Sequence, residues 1–213
     1  MMKSGQHELD LIDSGDDVVL QLELGNYLLP IPYEKFKFTN PADLDPVVKR
    51  KFQLGSFIYA MVLAHNTKAI ARGSEPKSWA EFWDIKKWPQ RRTFPDMATG
   101  HPTIEFALIA DGVPADKLYP LDIDRAFRSM SRVRPAIPKF WDTGALSSTM
   151  LSEGEVAMGP LWSTRAYVAK DQGAPIDVQW NQNALLVQAY GIPRGGKNPE
   201  AAGSPRPWRR CHS

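Results

Sequence analysis

Residues 156–180 read VAMGPLWSTRAYVAKDQGAPIDVQW and combine three secondary-structure patterns. The apolar run 156–162 predicts a buried strand. Ser163 follows as an expected helix N-cap, and Gly173 is typical of the residue that closes such a helix. Residues 176–180 then predict a second strand. This stretch therefore indicates a strand–helix–strand unit.

The rest of the chain shows the same alternation. Further strands are predicted at 9–12, 57–63 and 185–192, and helices at 17–24 and 103–110. Gly25 is expected at the C′ position of the first of these helices. Three more helices are predicted from their N-cap residues, which are Ser78, Asp122 and Thr143. Such alternation is typical of a parallel or mixed sheet with helices on its faces, so the sequence predicts an α/β fold.

The composition argues against several classes of protein. The chain has 213 residues, of which 43% are hydrophobic and 23% charged, enough for a core in one or two compact units. Its formal net charge of +2 is too balanced to favour nucleic acid or an anionic membrane as a partner. No apolar run approaches the roughly 20 residues that span a bilayer. The single cysteine, Cys211, excludes an internal disulfide.

No catalytic or metal-binding motif is visible in the sequence. The histidines are scattered and lack metal-ligand spacing: His7, His65, His101 and His212. Asp122 and Asp124 could form a catalytic pair of carboxylates, but Asp122 is better explained as a helix N-cap. We therefore expect no catalytic residue, no metal and no cofactor. The alternatives are a small α/β hydrolase or transferase with a polar cleft, and a ligand-free interaction or sensor domain.

Polar turns accompany several of the predicted strands. In open α/β sheets, ligands bind beyond the carboxyl ends of strands, where helix N-termini present unpaired N–H groups. This rule selects Ser14-Gly15-Asp16, residues 96–103, Asp142-Thr143-Gly144, and residues 162–165. Trp162 could stack on a ligand, and the Arg165 guanidinium could bind a carboxylate through two hydrogen bonds. The alternative is a core tryptophan and a solvated surface arginine.

Six segments, by their order and spacing, carry a resemblance to a known family. They are SWAEFWD at 78–84, ADGVPADKLYPLD at 110–122, FWDTGA at 140–145, GEVAMG at 154–159 followed by Trp162, GAPI at 173–176, and GIPRGGKNPEAA at 191–202. From about Leu9 to Ala202 the chain resembles the extracellular solute-binding proteins of family 1. Within that family it is similar to the spermidine/putrescine-binding branch of bacterial ABC importers.

The resemblance implies a two-lobed, type 2 periplasmic-binding-protein fold with mixed sheets, flanking helices and a hinge between the lobes. One lobe would hold residues 1–66 and 186–202, the other residues 67–185, and residues 203–213 would form an aberrant tail. A small solute would be captured between the lobes and delivered to ABC permease subunits. The resemblance also implies a monomer, a periplasmic location and no enzymatic activity.

The turns selected by the sheet rule fall where this family contacts its ligand. The ligand-binding residues that this implies are Ser14, Gly15, Asp16, Thr99, Asp142, Thr143, Gly144, Trp162, Arg165 and Gln188.

The chain departs from the polyamine binders at their acidic positions. Those proteins hold ammonium groups with carboxylates, because a cation in a closed cleft needs a paired charge. By alignment, two of their acidic positions fall at Thr99 and Pro102, and the acid on the hinge strand falls at Gln188. Their tryptophan two residues before that acid falls at Leu186. We therefore expect a carboxylate-bearing solute, matched to Arg165, or a neutral polar solute, rather than a polyamine.

Both ends of the chain differ from the family pattern. The first ten residues, MMKSGQHELD, lack the apolar core of a signal peptide, and the family's first strand–helix unit does not precede them. After Ala202 the family continues with an amphipathic helix, whereas this chain reads GSPRPWRRCHS without a helical period. We therefore expect a fragment in which the first lobe is incomplete.

Overall fold

The computed structural model describes residues 9–97 and 103–199 of the chain. The strands are β1 (Ile12–Gly15), β2 (Leu28–Leu29), β3 (Leu54–Asn66), β4 (Phe94–Pro95), β5 (Phe140–Trp141), β6 (Met158–Trp162) and β7 (Ile176–Pro193). The helices are α1 (Asp16–Leu24), α2 (Trp79–Trp83), α3 (Thr103–Ala110), α4 (Ile123–Val133), α5 (Gly144–Ser152) and α6 (Ser163–Asp171). Within the described ranges, none of these helices has the length and hydropathy of a membrane-spanning segment.

The chain divides into two compact units. Unit 1 lies within Met1–Ile58 and Leu186–Ser213, and unit 2 is Tyr59–Leu185. β3 and β7 each contribute residues to both units. The sequence placed the first lobe boundary after residue 66, whereas the first unit boundary falls inside β3. The assignment of lobes to the chain stays a prediction.

Unit 1 is a small antiparallel sheet with one helix. β7 lies between β1 and β3, and β2 pairs with the end of β7. In the ladder of β1 and β7, Gly15 lies opposite Gln188. α1 contacts the sheet through Val19, which forms a buried cluster with Leu28 and Ala189. The register of β1 and β7 therefore fixes which polar side chains become neighbours.

Unit 2 contains both parallel and antiparallel strand pairs. β6 pairs antiparallel with β3, so that Trp162 lies opposite Met61. β4 and β5 are parallel, and Arg92 forms a parallel bridge to Met158 of β6. The predicted α/β class with mixed sheets is confirmed by this arrangement.

Aromatic side chains form much of the core of unit 2. Trp79 stacks on Phe106 with ring centroids 4.0 Å apart, and both rings are almost fully buried. The Trp83 indole N–H donates to the Ser129 carbonyl oxygen at 3.0 Å. Burial of such rings removes a large apolar area from water, which stabilises the unit.

Three N-caps that the sequence predicts are present. Ser78, Asp122 and Thr143 each accept a hydrogen bond from the backbone N–H three residues later, at 3.2, 2.9 and 3.2 Å. The helix predicted at residues 103–110 is α3, with the same bounds. These features depend on contacts within one helical turn, which is why local sequence predicts them.

The start of unit 1 differs from the prediction. Ser14 and Gly15 are the last residues of β1 rather than part of a turn, and α1 begins at Asp16. Gly25 has a φ of −77°, whereas Asn26 has a φ of 56° in the left-handed region. Asparagine tolerates that region, so the left-handed residue after α1 is Asn26 and not the predicted glycine.

The last two predicted strands are one strand. β7 continues from Ile176 to Pro193, through a polar segment that the sequence interpretation placed between two strands. Gln182 lies in this segment with a φ of 59°. The backbone stays extended through this segment, where side-chain polarity suggested a break, and Gln182 accepts hydrogen bonds there from the backbone and indole N–H groups of Trp79.

Candidate functional site

Two strand–helix junctions of unit 2 bring together five residues that the sequence selected. β5 ends at Trp141 and α5 begins at Gly144, while β6 ends at Trp162 and α6 begins at Ser163. We call the residues at these junctions the Trp162 patch: Asp142, Thr143, Gly144, Trp162 and Arg165. Asp142, Thr143 and Arg165 are exposed, Trp162 is half-buried and Gly144 is buried.

Gly144 lies in close contact with two other members of the patch. A Cβ atom at this position would lie 2.6 Å from Cε3 and Cζ3 of the Trp162 ring. It would lie 3.0 Å from Cγ of Arg165. The first turn of α5, the indole and the arginine stem therefore form one contiguous surface.

Two aromatic rings contact Trp162 in edge-to-face geometry. The centroid of Trp141 lies 5.8 Å away at an interplanar angle of 83°, and that of Tyr59 lies 6.3 Å away at 84°. Aromatic pairs favour this geometry because a positive ring edge meets a negative ring face. Trp162 is therefore held in orientation while part of its surface stays accessible.

The electrostatics of the Trp162 patch favour an anion. α5 begins at Gly144, and the N-terminus of a helix carries a partial positive charge. Arg165, whose stem contacts Gly144, adds a full positive charge and a planar set of donors. The carboxylate of Asp142 lies next in sequence to the cap, so a ligand with its own positive group also has a partner of opposite charge nearby.

Ser163 does not cap α6 as the sequence predicted. Trp162 is the N-cap residue and makes no side-chain capping bond, and Ser163 is the first residue of the helix. The Ser163 hydroxyl instead accepts a hydrogen bond from the Ala60 backbone N–H at 3.1 Å. This bond links β3 to the start of α6, and a contact so distant in sequence cannot be read from a local capping pattern.

Unit 1 brings together a second set of predicted residues. We call Ser14, Gly15, Asp16 and Gln188, with the neighbouring Asp13, the Gln188 patch. Gln188 Nε2 donates to Asp13 Oδ1 at 2.9 Å. The Gln188 carbonyl oxygen accepts a hydrogen bond from the Ser56 hydroxyl at 3.1 Å. The Gln188 patch therefore contains an oriented amide and a carboxylate.

Asp16 also forms an ion pair within unit 1. Its Oδ2 lies 3.7 Å from Nη2 of Arg50, and both side chains are partly exposed. Ion pairs of this kind contribute about 1 kcal/mol or less, so the pair leaves Asp16 available to other partners.

Thr99 and Pro102 lie outside the described residues. In the segment 96–103, which the sheet rule selected, only residues 96, 97 and 103 are described. The Asp96 backbone N–H donates to the Trp141 carbonyl oxygen at 2.8 Å, next to the Trp162 patch. Thr103 is buried at the start of α3.

Sequence reasoning missed three residues that lie in these patches or contact them. Trp141 lies inside the FWDTGA segment that carried the family resemblance, so a signal for it was present. Asp13 precedes the residues 14–16 that the sheet rule selected and was not among them, although its carboxylate accepts a hydrogen bond from Gln188. Tyr59 lies in an apolar strand, and no sequence signal distinguished it from its neighbours.

The described histidine is not part of either patch. His65 is buried at the end of β3, and neither ring nitrogen has a hydrogen-bond partner among the described residues. Burial lowers the pKa of His65, and the Glu75 carboxylate, whose Oε2 lies 4.0 Å from Nε2, partly opposes this effect. Within the described ranges, no group of three His, Cys, Asp or Glu residues could hold a metal ion.

Comparison with known sequences assigns the chain to a family. A sequence profile described as "Bacterial extracellular solute-binding protein" matches residues 1–204. The chain belongs to the bacterial extracellular solute-binding protein family. Members of this family are extracellular or periplasmic proteins, and the recognised resemblance is confirmed.

Two curated relatives illustrate the range of ligands. The chain is 29% identical over 171 residues to the gamma-aminobutyric acid-binding protein of Pseudomonas aeruginosa, covering 78% of this chain and 47% of that protein. It is 28% identical over 174 residues to the spermidine/putrescine-binding periplasmic protein of Escherichia coli, covering 79% of this chain and 49% of that protein. The chain thus spans about half the length of the curated relatives it matches.

A solved structure confirms the predicted fold class. The crystal structure of an ABC transporter substrate-binding protein from Bradyrhizobium japonicum matches with a TM-score of 0.84 and 33% sequence identity. The match covers 94% of this chain and 61% of that chain. The chain therefore has the α/β fold of the periplasmic substrate-binding proteins.

Proposed function

We propose that this chain acts as the solute-binding component of a bacterial ABC importer. It captures a small polar solute and delivers it unchanged to membrane permease subunits. The observation that carries the proposal is the contact of Trp162, Gly144 and Arg165 at the start of α5, in a member of a solute-binding family. The proposal includes a periplasmic location, a monomeric state and no catalysis.

The proposed ligand contacts come from both patches and from one position outside the described residues. They are Ser14, Gly15, Asp16, Thr99, Asp142, Thr143, Gly144, Trp162, Arg165 and Gln188. We also propose that the two lobes predicted from the sequence correspond to units 1 and 2.

The charges of the patches support a solute with a carboxylate. Arg165 and the N-terminus of α5 attract the same anionic group, and Trp162 offers an apolar face to the adjoining carbon chain. Gln188 replaces an acidic residue of the polyamine binders, but its amide binds Asp13. The Gln188 patch keeps the carboxylates of Asp13 and Asp16, and either can pair with an ammonium group of the solute. The relative named for gamma-aminobutyric acid, which has both groups, supports this class of solute.

The test is calorimetric titration of the chain with gamma-aminobutyric acid, spermidine and putrescine. We expect saturable binding of the amino acid and no submillimolar binding of the two polyamines. Arg165→Met should weaken binding at least about tenfold, because hydrogen bonds to charged groups contribute about 1.5–3 kcal/mol. Arg128→Met is the matched control, since Arg128 is an exposed arginine of the same unit outside the Trp162 patch.

The outcomes of these experiments test the class of ligand and the binding function separately. Submillimolar binding of either polyamine would contradict the carboxylate assignment but not solute binding. A small α/β enzyme is the alternative function, and it predicts chemical change of the solute. Recovery of unchanged solute, together with an upward shift of the unfolding temperature on binding, supports a binder. Turnover of the solute without added enzyme would contradict the proposal.

A further inference from the structure

Gly144 has no conformational need to be glycine, so its small size has another reason. It is the first residue of a nine-residue helix, α5, and its φ is not in the left-handed region. Alanine favours the helical conformation over glycine by about 1 kcal/mol. What excludes a larger residue is space, because a Cβ atom would lie only 2.6 Å from two atoms of the Trp162 ring.

Trp141 is fixed beside the same indole. It is fully buried, and its indole N–H donates to the Pro160 carbonyl oxygen at 3.1 Å. Pro160 lies on β6, two residues before Trp162. The Trp141 side chain thus bonds to the backbone of β6 and also contacts the Trp162 ring in edge-to-face geometry.

We propose that Gly144 and Trp141 are positioning residues that set the distance between the Trp162 ring and the Arg165 side chain. Gly144 permits the close approach of both, and Trp141 holds the ring orientation. The distance between an apolar face and a guanidinium selects solutes by the length of the carbon chain next to their carboxylate. This inference rests on the proposed function for its ligand but not for its geometry.

The test uses ¹⁵N-labelled tryptophan in the full chain, in which each of the seven tryptophans gives one indole N–H resonance. The resonance that disappears in the Trp162→Phe variant is assigned to Trp162. Gly144→Ala and Trp141→Phe should shift that resonance. Trp83→Phe is the matched control, because Trp83 is also buried in unit 2 and also donates its indole N–H to a carbonyl oxygen. It should leave the Trp162 resonance in place.

A ligand-based arm uses gamma-aminobutyric acid as the probe. Gly144→Ala should weaken its binding about tenfold, while binding of the Trp83→Phe variant stays within about twofold of the unchanged chain. In a Trp162→Phe background, the smaller ring leaves room for the new methyl group. Gly144→Ala should then have little further effect, as expected when two residues act through one contact.

The two arms distinguish failure of this inference from failure of the proposed function. If Gly144→Ala leaves the Trp162 resonance unchanged, or weakens binding equally in the Trp162→Phe background, the positioning role is wrong. If the unchanged chain binds no probe while the resonance shifts as expected, the proposed function is contradicted and the positioning role stands. Because the Trp162→Phe background leaves room for the new methyl group, comparing Gly144→Ala in the two backgrounds keeps the test decisive even if Trp141→Phe does not fold.

Discussion

Gln188 and Asp13 form a hydrogen bond across the ladder of β1 and β7, with Gln188 Nε2 and Asp13 Oδ1 2.9 Å apart. By alignment, Gln188 is predicted to fall at an acidic position of the polyamine binders. The amide therefore neutralises no charge, but it orients the carboxylate of Asp13. In the proposed function, this pair is the part of unit 1 that bears on the choice of ligand.

Gln188→Glu should move the ligand preference towards polyamines. It places a second carboxylate next to Asp13, and the added negative charge attracts a dication and repels the carboxylate of an amino acid. We expect at least about a tenfold gain in affinity for putrescine, measured by calorimetry. Gln21→Glu is the control, because Gln21 is an exposed residue of the same unit. Equal gains in the two variants would contradict a role for the pair.

The buried His65 should make stability depend on pH. Its pKa in the folded chain is lowered by burial, with Glu75 and Asp177 opposing the shift and Lys77 and Arg72 adding to it. The unfolded chain therefore binds the proton more readily, so the free energy of unfolding should fall as the pH drops through about 6.5, the usual value. Urea unfolding at pH 7.5 and 5.5 measures this loss. His65→Gln should reduce it, and an unchanged pH dependence in that variant would show that His65 is not its source.

Ser163→Ala should destabilise unit 2 by about 1–3 kcal/mol. The substitution leaves the buried Ala60 N–H without its acceptor, and an unsatisfied buried donor costs about that much. Ser163→Thr keeps the hydroxyl and should retain most of the stability. Ser131→Ala is the control, since that exposed hydroxyl bonds only within its own helix, to Phe127. Urea unfolding followed by tryptophan fluorescence gives all three values, and equal losses in Ser163→Ala and Ser131→Ala would contradict the role of the long-range bond.

At position 182, the glycine variant should be more stable than the alanine variant, which is the reverse of the usual order in a strand. Its φ of 59° is costly for any residue with a Cβ atom, by roughly 1–2 kcal/mol. Its side-chain oxygen also accepts a hydrogen bond from the Trp79 backbone N–H at 2.9 Å, and both substitutions remove that bond. Gln182→Gly should therefore be about 1 kcal/mol more stable than Gln182→Ala.

Gln179 provides the matched comparison for this prediction. It lies in the same strand but has no left-handed φ, so glycine there should be the less stable of the two substitutions. Chemical unfolding of the four variants gives both differences. The same order at the two positions would contradict the backbone explanation.

Local patterns in the sequence predicted the elements that depend on near neighbours. The caps at Ser78, Asp122 and Thr143 each involve a bond over three residues, and all three are present. The same kind of reasoning was wrong for Ser163, whose hydroxyl bonds to Ala60 about a hundred positions earlier in the chain. It was also wrong for the break in β7, where Gln182 accepts hydrogen bonds from Trp79, about a hundred positions earlier in the chain.

The sequence alone determined the α/β class, the family and the residue types of the candidate site. Strand and helix periodicity, capping residues and the order and spacing of the six family-like segments can be read along the sequence, and they suffice for that much. Only the tertiary structure decided that Gly144, Trp162 and Arg165 touch and that Asp13 binds Gln188. Such contacts depend on strand register and on the space beside one missing Cβ atom, and neither is encoded within a single helical turn or strand.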